Sequence, residues 1–106
     1  MNAPETTLAG VLEEAAAELE AAERRPTPAG VEWSIGGTAF AVVGRDGAEF
    51  RLARPVVEAA LRTPGTGSSR RGPDWVAFQP AELDQHAIDR AMAWLASAWR
   101  RADSEA

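Results

Sequence analysis

VEWSIGGTAFAVVGRDGAEFRL, Val31 to Leu52, is the stretch whose reading decides the fold. Val31-Glu-Trp-Ser-Ile35 alternates apolar with polar, which puts Val31, Trp33 and Ile35 on one face of a strand. Gly36-Gly37 follows, and two glycines between alternating runs signal a two-residue hairpin, because both positions accept positive φ. The returning strand is Thr38 to Val43. Gly44-Arg-Asp-Gly47 makes a second turn, with Asp46-Gly47 supplying its chemistry. Ala48 to Leu52 is a third strand, carrying Ala48, Phe50 and Leu52 on one side and Glu49 and Arg51 on the other. Three consecutive antiparallel strands form a meander.

On its N-terminal side, Glu5 to Arg24 reads as an amphipathic helix. Leu8, Val11, Leu12, Ala15, Leu19 and Ala22 recur at three- and four-residue steps, with the glutamates mostly off that stripe. Pro26 and Pro28 are expected to stop it. The narrow, alanine-rich stripe either packs on its own domain, the preferred reading, or pairs with a partner helix.

On the C-terminal side, Pro55 suits the first turn of a short helix that ends near Arg62, with Val56, Val57, Ala60 and Leu61 as its apolar side. Pro64-Gly65 closes it. Arg62 to Asp74 reads as a surface loop, and Asp74 to Phe78 as a fourth strand. Pro80 then opens a long helix to about Ala102, whose apolar arc includes Leu83, Ala87, Ala91, Leu95, Ala98 and Trp99. The order is αβββαβα, and the expected fold is α+β: a mainly antiparallel sheet with helices layered on it. Residues 1–30 form the N-terminal helix and its proline-containing connection, and residues 31–106 the main domain.

At 106 residues the chain is the size of one domain. No run approaches the roughly 20 apolar residues of a membrane span. The N-terminus lacks the basic start and apolar core of a secretory signal, and cysteine is absent. The expected location is the cytoplasm, with no membrane partner. All eleven basic residues are arginine, which fits codon bias in a GC-rich bacterial genome better than a functional demand.

The net charge of −5 is unevenly spread. Six glutamates and no base lie in residues 1–23, whereas residues 51–71 hold Arg51, Arg54, Arg62, Arg70 and Arg71 against Glu58 alone. That local basic run keeps nucleic-acid contact open despite an acidic chain. Gly65-Thr-Gly67 and Ser68-Ser69 do not make a nucleotide cradle. Such a loop must leave a strand and enter a helix, so that amides and the helix dipole converge on the anion; this one leaves a helix and enters a strand. Arg70 and Arg71 remain as point contacts on a mobile tip. Trp75 is read as facing inward, anchoring the last strand; outward, it would join Arg70 and Arg71 in a basic-aromatic surface. Trp33, Trp94 and Trp99 are read as core.

His86 is the lone histidine and sits on the polar arc of its helix with Asp89 and Arg90. No nucleophile–base pair, cofactor loop or metal-ligand spacing accompanies it, so no catalytic residue, cofactor or metal is assigned. Asp84 is read as an acid favoured by the helix dipole at the start of the last helix.

Ile35-Gly-Gly-Thr-Ala-Phe-Ala41, Phe50-Arg-Leu52 followed by Pro55, and Trp75-Val76 before a C-terminal helix are together similar to the MmcQ/YjbR-like family, over about residues 31–102. The chain departs from that family's pattern at Ala53, where a lysine is frequent, and at Gly72-Pro73-Asp74. The resemblance implies a double-wing α+β fold and a DNA-contacting binding or regulatory module more than an enzyme. The expected contact residues are Arg51, Arg54, Arg62, Arg70, Arg71 and Trp75. The alternative is a protein-interaction or homodimerising adaptor that uses the acidic N-terminal helix.

Overall fold

Thr7 starts the first helix: its hydroxyl accepts the Gly10 N–H at 3.0 Å, satisfying one of the amides that a helix start leaves open. The computed structural model describes residues 6–106, so Glu5, the expected first residue of this helix, lies outside the described residues. Helix α1 covers Leu8–Ala17 and buries Leu8, Leu12 and Ala16. Its stripe therefore packs on its own domain.

The helix stops well before Arg24, to which the sequence periodicity extends it. Beyond the Glu18 cap the chain turns, Ala21 adopts a left-handed φ of 63°, and Glu23–Thr27 returns as strand β1. Leu19 and Ala22 still pack against the core from this turn, which is why the apolar spacing looks continuous. ERRPT has no strand character of its own. It is held by antiparallel pairing with β2 (Gly30–Ile35), Arg24 opposite Trp33 and Arg25 opposite Glu32. Pro26 belongs on such an edge, where a missing N–H is tolerated and blunts pairing with another chain.

The meander is present as read: β2, β3 (Thr38–Val43) and β4 (Ala48–Arg51) are consecutive antiparallel neighbours. Gly36 and Gly37 take φ of 55° and 83°, the positive pair that a tight hairpin requires. Between Trp33 and Ser34 the register slips, so that Ala41 faces Trp33, Ala39 faces Ser34, and Phe40 is the extra residue. This bulge lets Phe40, Ala41 and Val43 all enter the core, which strict alternation would forbid.

Helix α2 spans Arg54–Ala60 with Pro55 in its first turn. The loop expected after it is in part a strand: β5, Thr66–Ser68, pairs with β6, Trp75–Phe78. Thr66 sets this up, its hydroxyl donating to the carbonyls of Ala60 and Thr63 at 2.8 and 2.7 Å, while Gln79 N–H bonds the Gly65 carbonyl. Helix α3 covers Gln85–Glu105, beginning later than Pro80 because Asp84 caps it, accepting the Ala87 N–H at 2.8 Å. The sheet order is β1-β2-β3-β4-β6-β5, antiparallel throughout its neighbours. The αβββαβα plan thus gains a short strand at each edge, and the class is α+β.

The helices share one face. Ala87, Ala91, Leu95, Ala98 and Ala102 form the buried side of α3, and the alanines let its backbone lie close over β3. Residues of α1, α2 and α3 join the same cluster as Phe40, Phe50, Val76 and Phe78. Trp94 meets Phe78 edge-on at 5.0 Å and Phe50 at 6.2 Å, a favourable aromatic arrangement. Trp33 is buried, while Trp94 and Trp99 are partly buried against the core; the Trp99 indole donates to the Glu20 carbonyl at 2.9 Å. Across the opposite face, register aligns Arg25, Glu32, Val42, Glu49, Ala77 and Gly67 in one row, none of them in the core cluster. That face carries no helix among the described residues.

Candidate functional site

Strand alternation settles which way Trp75 faces. Val76 and Phe78 are buried in the core, so Trp75 and Ala77 emerge on the helix-free side. The inward reading of Trp75 is corrected. Its reason is register: Val76 lies opposite Phe50, a core residue, whereas Trp75 lies opposite Arg51. Trp75 is half-buried, and the Arg71 guanidinium stands over its ring, 5.6 Å from the centroid, at cation–π distance.

Around this ring the structure gathers four of the five expected arginines. Arg51 faces Trp75 across the β4–β6 ladder. Arg54, at the start of α2, lies 3.9 Å from Asp74, next to Trp75 in the chain. Arg70 and Arg71 line, with Glu49, Ser68, Ser69 and Ala77, a shallow depression of about 450 Å³. Arg62 is the exception. It follows α2 near Thr66, and Thr66 is opposite Phe78 at the far end of β6. Arg62 is exposed there and takes no part in the corner.

The arginines do not stand as a bare patch. Arg51 grips Glu105 through two bonds, at 2.6 and 3.3 Å. That hydrogen bond raises Arg51 above its ordinary pKa and holds Glu105 below the usual carboxylate range. Arg71 Nε reaches Glu49 at 3.2 Å, and the Ser69 hydroxyl donates to the other oxygen of the same carboxylate. Arg101, which the sequence does not single out, bonds the Leu52 carbonyl at 2.5 Å and Asp74 at 3.0 Å. The hydrogen bond from Arg101, then the charges of Arg101, Arg54 and Arg51, lower the Asp74 pKa. Arg70 has no acidic partner among the described residues.

Five arginines against Glu49, Asp74 and Glu105 leave the corner with a modest positive excess. The guanidinium groups of Arg51, Arg71 and Arg101 are oriented by these carboxylates and partly shielded from water. Glu49, Asp74, Arg101 and Glu105 escape sequence reading because their side-chain partners lie 20 to 54 residues away in the chain. Alternation on β4 could place Glu49 beside Arg51 on the outer face, but nothing local pairs it with Arg71.

His86 is exposed in the first turn of α3, away from this corner. Among the described residues no group of three or more histidines, cysteines or acids is arranged to hold a metal, and no helix is long and apolar enough to cross a membrane. Comparison with family models, curated proteins and solved structures finds no match to this chain.

Proposed function

We propose that this chain is a small non-catalytic binding module of the cytoplasm that contacts single-stranded nucleic acid at the Trp75 corner of its helix-free sheet face. The observation that carries this reading is the partly exposed Trp75 ring bracketed by Arg51 in register and by Arg71 above it. An indole face accepts any base by stacking, and flanking guanidinium groups meet phosphates, a combination that binds single strands with little sequence preference. Glu49, Asp74 and Glu105 offset part of the positive charge, so the expected binding is weak and strongly salt-dependent. Kinship with the MmcQ/YjbR-like family is proposed on the same footing, from the Gly-Gly hairpin, Phe50-Arg-Leu52 and Trp75-Val76.

The test is fluorescence anisotropy with a labelled oligothymidylate at about 50 mM salt, repeated as salt rises. Affinity should fall with a logarithmic slope of roughly −0.7 for each phosphate neutralised. Arg70→Ala with Arg71→Ala should weaken binding to every sequence alike. Absence of binding at low salt overturns the reading.

A further inference from the structure

A second surface lies on the helical side, where α1 and α3 meet. Val11 and Ala15 of α1, both partly buried, and Met92 of α3 form the floor of a groove whose rim carries Glu14 and Glu18. Met92 is 39% exposed, one of two large apolar side chains that stand out into solvent among the described residues. A flexible thioether on a groove floor adapts to a docking partner more readily than a branched side chain. The groove is the outward side of α1, since Leu8, Leu12 and Ala16 turn to the core.

Charge selects the occupant. Helix α1 and the turn after it carry Glu13, Glu14, Glu18 and Glu20 with no base. Arg24 neutralises Glu13 at 3.3 Å, but Glu14 and Glu18 have no cationic partner among the described residues. Residues 1–5 hold one acid and no base, so they do not complement this rim. The same acidic face on a second copy would repel it.

We infer that the α1–α3 groove docks a basic amphipathic helix of a partner protein, whose apolar side covers Met92, Val11 and Ala15 while its cations meet Glu14 and Glu18. Helices laid into grooves are a recurrent mode of recognition, and an apolar floor between acidic rims selects for lysine- or arginine-edged segments.

The experiment labels the methionine methyls with ¹³C; besides Met1, Met92 is the sole methionine. A synthetic amphipathic peptide with leucines on one side and arginines on the other is titrated, and a copy with glutamates for the arginines is the control. The Met92 methyl signal should move with the basic peptide and stay still with the acidic one. Glu14→Gln with Glu18→Gln should weaken binding about tenfold. Thermal unfolding shows that the variant is folded, and Arg70→Ala with Arg71→Ala, in the other corner, should leave this binding unchanged. A still Met92 signal overturns the inference, as does binding indifferent to the two glutamates. Sedimentation showing that the groove is filled by a second copy without peptide also overturns it.

Discussion

Arg71 and Trp75 form a cation–π pair on the outer face of the sheet, the guanidinium carbon 5.6 Å from the ring centroid. The same arginine is bound through Nε to Glu49 at 3.2 Å, so its orientation is set from below and its charge is partly answered. A ligand at this corner meets a stacked, pre-oriented arginine rather than a mobile one, and each component of the arrangement can be removed separately.

Trp75→Ala should abolish oligonucleotide binding while costing only about 1–2 kcal/mol of stability, because the residue is partly exposed and outside the core cluster. Trp33→Ala, at a position that is 3% exposed, should cost about 3–5 kcal/mol. Urea unfolding alongside anisotropy separates the two. Trp75→Ala that destabilises as much as Trp33→Ala would assign the ring to structure.

Glu49→Gln removes the carboxylate that Arg71 and Ser69 share. The corner becomes more positive by one charge, so affinity for a labelled oligonucleotide should rise and its salt dependence steepen. A loss of affinity instead would show that Glu49 matters more for holding Arg71 over Trp75 than for opposing the ligand.

Arg101 ties the C-terminal part of α3 to the ends of β4 and β6 through Leu52 O and Asp74. Arg101→Ala should lower stability by about 1–2 kcal/mol in chemical denaturation. Arg100→Ala, at the exposed neighbouring position, should change it by less than about 0.5 kcal/mol. Equal effects would mean that the Arg101 bonds do not hold the helix end.

Asp74 and Glu105 both have pKa values below the ordinary range, mainly through hydrogen bonds from Arg101 and Arg51. A depressed carboxylate stabilises the fold above its unfolded pKa of about 4 and loses that contribution as pH falls through the lower folded value. Stability from these pairs should therefore be constant at neutral pH and decline in acid. Asp74→Asn should flatten the acid limb of a stability-versus-pH curve measured by urea unfolding. An unchanged limb would dismiss the Asp74 pair as a contributor.

Gly30 opens β2 with φ of 139°, and a Cβ there would lie 2.4 Å from the Val43 carbonyl oxygen. Gly30→Ala should cost about 2 kcal/mol or more, since it meets both backbone strain and a rigid neighbour. Gly67→Ala, where an added Cβ meets nothing within 4 Å, is the control and should be nearly neutral. Chemical denaturation of both variants decides it.

What the sequence determined by itself was the part written in short-range pattern. Alternation in Val31–Ile35 and Ala48–Leu52, with Gly36-Gly37 and Asp46-Gly47 as turns, specified the meander because strand facing and turn chemistry depend on adjacent residues. The tertiary structure decided the two edge strands. Glu23–Thr27 and Thr66–Ser68 have no strand propensity to speak of and are held by hydrogen bonds from β2 and β6. It also decided the corner. A cluster of arginines in the sequence does not say which carboxylates will meet them, and a four-residue strand can present either side until its register is set. Phe50 opposite Val76 fixed that register and put Trp75 outside, and the end of α3 brought Arg101 to Asp74 and Glu105 to Arg51 beside it.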